Sequence, residues 1–66
     1  MNTNDEIQRG VFSVRDFCLW AGIGRTAFYE EIKNGRLEAK KFGKRTLIPI
    51  VEAHRWLQQL PVLHKE

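Results

Sequence analysis

The stretch from Gly24 to Gly35, GRTAFYEEIKNG, is suited to one short helix, and that constrains the whole chain. Phe28 and Ile32 stand four apart and share a face that can be buried. Arg25, Thr26, Tyr29 and Lys33 fall on other faces and point outward. Gly24 is a tolerated N-cap. Asn34-Gly35 is a stop signal, because glycine adopts the left-handed conformation that ends a helix. A helix with so narrow an apolar edge is unstable alone. The rest of the chain must support it and give its polar face something to meet.

Upstream, Ser13 followed by Asp16 has capping-box spacing, with Asp in place of the usual Glu or Gln. Phe12 and Phe17 are placed to staple that helix start. Val14, Phe17, Cys18 and Ala21 then share one face at spacings of three and four, and Gly22 ends the helix. Leu19 points off that face, either as an ordinary exposed leucine or as part of a contact surface with Trp20. The two helices are joined by Ala21-Gly22-Ile23-Gly24, a tight glycine-containing turn with one apolar residue to close the corner. This is a helix-turn-helix arrangement, in which the second helix lies in the major groove of DNA. The plain alternative is a helical hairpin in a small bundle.

The next segment favours the first reading. From Lys33 to Thr46 there are six positive residues, Lys33, Arg36, Lys40, Lys41, Lys44 and Arg45, against one negative, Glu38. That local +5 exceeds the +3 of the whole 66-residue chain, so the charge is concentrated here. Leu37, Ala39 and Lys41 alternate with Glu38, Lys40 and Phe42. Gly43-Lys44 turns, and Arg45-Thr46-Leu47-Ile48 resumes an extended run. The pattern predicts a β-hairpin tipped by Phe42-Gly43-Lys44-Arg45. After a helix-turn-helix, such a basic hairpin reads as a wing that neutralises phosphates. By itself it would read as a charged edge that blocks strand pairing.

Pro49 ends the second strand and starts a third helix, with Ala53, Trp56, Leu57 and Leu60 on one face and Pro61 as its stop. Residues 1–10 read as a disordered lead-in, 11–60 as one domain, and 61–66 as a loose C-terminal tail. A single cysteine, Cys18, forms no internal disulfide, so the fold must rest on packing; on its apolar face it reads as a core residue. His54 reads as a surface residue, and no metal site or cofactor is expected. No nucleophile–base arrangement or phosphate-cradling loop is present, so no enzyme activity is expected. With no leader pattern and no membrane-spanning run, a cytoplasmic protein without membrane contact is expected.

The run from Phe12 to Tyr29, FSVRDFCLWAGIGRTAFY, resembles the opening of excisionase-type, MerR-like winged helix-turn-helix domains. These include phage excisionases and AlpA-type prophage regulators. Ile32-Lys33-Asn34-Gly35-Arg36-Leu37 is similar to that family's link into the wing. Phe42-Gly43-Lys44-Arg45-Thr46-Leu47-Ile48-Pro49 is similar to its wing tip and return strand, and Trp56-Leu57 to its closing helix. The likeness covers residues 11 to 60, and its weight lies in the ordered set of pieces. The fold expected is mainly α with a small β-hairpin, in the order α-α-β-β-α.

The resemblance implies a double-stranded DNA-binding protein. Arg25, Thr26, Tyr29 and Lys33 face the groove for base readout; Lys44, Arg45 and Thr46 face the backbone. Arg36, Lys40 and Lys41 add to the salt-sensitive electrostatic part. The chain departs from the family at two places: Gly24 replaces a turn serine, and the position after Tyr29, often basic in the family, is Glu30, followed by Glu31. Glu30 either accepts from a cytosine amine or pairs with Lys33 or Asn34 on the helix surface, and the surface pair is preferred. The expected roles are excisionase, working with a recombinase, or transcriptional regulator, with further copies on repeated sites. The alternative is a protein-interaction adaptor or antirepressor-like partner that uses Leu19, Trp20, Glu30 and Glu31.

Overall fold

Ser13 marks the change from strand to helix. In a computed structural model, which describes residues 10–63, the chain runs as strand β1 (Val11–Ser13), helix α1 (Val14–Ala21), helix α2 (Arg25–Lys33), strands β2 (Lys40–Phe42) and β3 (Arg45–Pro49), and helix α3 (Ile50–Gln59). The Ser13 hydroxyl accepts the Asp16 N–H at 3.0 Å, so the expected cap forms. The Phe12 and Phe17 rings meet edge-on at 6.1 Å, completing the staple. At the far end, Gly22 takes φ +73°, and the N–H groups of Gly22 and Ile23 both donate to the Cys18 carbonyl. That left-handed step suits glycine and turns the chain sharply into α2.

The hairpin turn lies where the sequence places it. Phe42 pairs with Arg45, leaving a two-residue loop, Gly43-Lys44. Gly43 has φ +60° and Lys44 does not have positive φ, the pattern of a type II′ turn whose twist matches that of the strands. Leu37 and Ala39 point toward the core, as the alternation predicts.

One strand is not expected from the sequence. Val11-Phe12-Ser13 pairs antiparallel with β3, Val11 opposite Pro49 and Phe12 opposite Ile48. The sheet is therefore three-stranded, in the order β1-β3-β2. The expected α-α-β-β-α order becomes β-α-α-β-β-α, and the fold is mixed, with three helices and an antiparallel sheet. Three residues that also serve as the lead-in to a helix carry no visible strand period. Their pairing comes from a distant partner, and the Ile50 N–H reinforces it by donating to the Gly10 carbonyl at 3.0 Å.

The core lies between the helices and one sheet face. It comprises Phe12, Phe17, Cys18, Phe28, Leu37, Ile48, Ala53 and Trp56. Phe17 is its centre, with ring contacts to Phe12, Trp20, Phe28 and Trp56 between 5.3 and 6.1 Å. Cys18 is a buried free thiol, as expected of a core residue.

Helix α3 differs from expectation. Ala53 and Trp56 are buried, but Leu57 and Leu60 are exposed. Ala53 and Trp56, with Ile50 partly buried against the core, form the inward edge of this short helix, and Leu57 lies to one side of it. Pro61 follows the helix as expected, and residues 61–63 are exposed without regular structure. Most of the expected lead-in, residues 1–9, and the end of the expected tail, residues 64–66, lie outside the described residues. No described helix is long and apolar enough to cross a membrane.

Candidate nucleic-acid interface

Helix α2 is fixed by its inner edge. Phe28 is fully buried and Ile32 packs against the core. Those two anchors orient the remaining faces. Arg25, Thr26, Tyr29 and Lys33 are all exposed, and the Tyr29 ring meets Phe28 edge-on at 4.8 Å. All four expected readout residues thus lie on the accessible part of one helix.

The hairpin presents a second group. Lys40, Lys41, Lys44 and Arg45 are exposed, and Thr46 is half-buried. Strand pairing sets Lys41 opposite Thr46, and Arg45 opposite Phe42. Arg25, Lys33, Lys40, Lys41, Lys44 and Arg45 make no ion pair among the described residues. Their charges remain available to an anion.

Arg36 is placed differently from the rest of its expected group. Its Nε and Nη2 donate to the two carboxylate oxygens of Glu31 at 2.9 and 2.8 Å. Glu31 Oε1 also accepts from Trp56 Nε1 at 2.9 Å. One carboxylate therefore ties α2 to the segment entering the hairpin and to the core tryptophan of α3. The Arg36 bond, then the Trp56 bond, hold the Glu31 carboxyl at about 2, well below the ordinary 4.5. The same contact pushes the Arg36 guanidinium up. Arg36 is part of the scaffold as much as of the basic surface.

The expected surface pair of Glu30 is not formed. Its carboxylate makes no hydrogen bond or ion pair with Lys33 or Asn34; only its backbone carbonyl accepts the Asn34 N–H. The neighbouring Glu31 forms the helix's ion pair instead, to a residue beyond Gly35. No helical spacing rule spans that left-handed break, so the sequence offered no signal for it. Of the suggested contact surface, Leu19 is exposed, whereas Trp20 is partly covered by Phe12, Phe17 and His54. Phe42, which the sequence marks only as part of the hairpin tip, has an exposure too large for a packing role.

No family model, no curated protein and no solved structure matches this chain.

Proposed function

We propose that the chain binds double-stranded DNA as a winged helix-turn-helix protein of excisionase or AlpA type. Helix α2 enters the major groove, and the β2–β3 hairpin lies along the neighbouring backbone as the wing. The observation that carries this reading is the division within α2. Phe28 seals one edge into the core, while Arg25, Thr26, Tyr29 and Lys33 are left in solvent together. Arg25 and its helix neighbours supply base readout. Lys40, Lys41, Lys44 and Arg45 supply phosphate contacts that give affinity and register. Binding of this kind either directs a recombinase at a bent site or controls a promoter, with further copies on repeated sites.

The test is a duplex titration over a range of salt with two variants. Arg25→Ala should weaken preferred sites selectively. Lys44→Ala combined with Arg45→Ala should weaken all sequences and reduce the salt slope by about 0.9 for each phosphate left without its cation. Equal losses on selected and random DNA for both variants would refute the division of labour. A parent protein that shows no salt-dependent duplex binding, but retains a protein partner, refutes DNA binding and supports the adaptor.

A further inference from the structure

We propose that Phe42 is an apolar wedge that enters the minor groove and unstacks a base step beneath the hairpin tip. The proposal rests on the DNA-binding reading and adds a deformation of the DNA to it. Phe42 is 71 % exposed, although it lies within a paired strand. Its ring meets no other ring among the described residues, and the core is complete without it. Its place in the strand puts it on the sheet face opposite the core, since the alternate positions Ala39 and Ile48 point inward. On that outer face it is paired with Arg45 and sits two residues from Lys40. The loop residue Lys44 lies two residues beyond Phe42 in the chain.

A large aromatic ring held in water among unpaired cations has a complementary partner in nucleic acid. The cations meet phosphates on either side of a groove, and the ring meets sugar and base surface between them. Apolar side chains at such places part base steps and kink the duplex. The steps that give way most readily are pyrimidine–purine steps, above all TA. The type II′ turn makes the tip narrow, with only Gly43 and Lys44 beyond the Phe42–Arg45 pair. Phe42 thereby adds a preference for deformable DNA to a hairpin whose cations read no sequence.

The test uses a duplex of alternating TA steps carrying 2-aminopurine in place of some adenines, at low salt. Unstacking raises the fluorescence of that base. Binding of the parent protein should raise it. Phe42→Ala should abolish the rise and weaken binding about ten-fold, the effect expected when one aromatic side chain no longer stacks on a base. Phe42→Leu, which keeps an apolar wedge, should retain part of the rise. The salt slope should not change, because every cation is kept. An equal fluorescence rise and affinity for Phe42→Ala overturn the wedge while leaving DNA binding intact. A parent protein that does not bind the duplex overturns both. Weaker binding accompanied by an altered circular dichroism spectrum in Phe42→Ala, with Phe42→Leu binding no better, overturns the wedge as well.

Discussion

Replacing Glu31 with Gln removes the charge from the contact that holds α2 to the rest of the domain. Gln keeps one oxygen for Trp56 Nε1 but replaces the oxygen that accepts from Arg36 Nη2 with an NH2 group, which is neutral and cannot accept. The carboxyl sits at about 2 in the folded protein and near 4.5 when unpaired. At full strength that difference corresponds to roughly 3 kcal/mol. The Arg36 side chain is 55 % exposed, so solvent and salt screen much of it. The Glu31 side chain is only 18 % exposed and accepts a further bond from the core, so some of the effect survives. The expected destabilisation is about 1–2 kcal/mol at neutral pH, a fall in Tm of about 7–14 °C for a domain this small. Because folding depresses this pKa, the contribution is fully present above 4.5 and disappears as pH falls toward 2. Thermal unfolding followed by circular dichroism should therefore show parent and Glu31→Gln well separated at neutral pH and converging in acid. Equal Tm values at neutral pH, or a gap unchanged as the pH approaches 2, would refute the idea that this charge secures the helix.

Two further substitutions probe the local signals that shape α1. Ser13→Ala removes the hydroxyl that accepts from Asp16 N–H and should lower stability by about 1 kcal/mol in thermal or urea unfolding. Gly22→Ala meets open space around the new Cβ, so its cost is the left-handed backbone alone, about 1–2 kcal/mol; Gly22→Asn should recover part of it.

What could be read from the sequence was what lies close along the chain. Ser13 capping Asp16, Phe12 stapling Phe17, Gly22 ending α1 and Gly43 turning the hairpin all involve partners a few residues apart. Their signals are therefore confined to short windows. The features that the sequence does not express depend on distance or competition. Val11–Ser13 is a strand only because β3 returns beside it. Leu57 shares a nominal face with Trp56, yet only the larger side chain is taken into a core this small. The Glu31–Trp56 bond joins two helices whose relative placement the sequence does not express. The same limit applies to the candidate interface. Exposure of Arg25, Thr26, Tyr29 and Lys33 followed from where Phe28 and Ile32 had to point. The engagement of Arg36 did not, because its partner lies across the break at Gly35.

The three helices also differ in how much they do for their own stability. Helix α1 has a serine cap and Asp16 in its first turn, and α3 has Glu52 in its first turn. Helix α2 has neither, although it alone has a cation, Lys33, in its last turn: no side chain caps it, no acid stands in its first turn, and it begins with Arg25. A cation there opposes the helix dipole, which disfavours positive charge at the N-terminus by several tenths of a kcal/mol, and the missing cap forgoes about 1 kcal/mol more. The helix is held from elsewhere, by Phe28 in the core and by Glu31 through Arg36 and Trp56. A segment that breaks local rules while its surroundings compensate is the kind of place where function is expected. The same unfavourable charge at the start of α2 is the side chain that the DNA-binding reading sends to the base edges, and the helix that carries it is anchored further along, at Phe28 and Glu31.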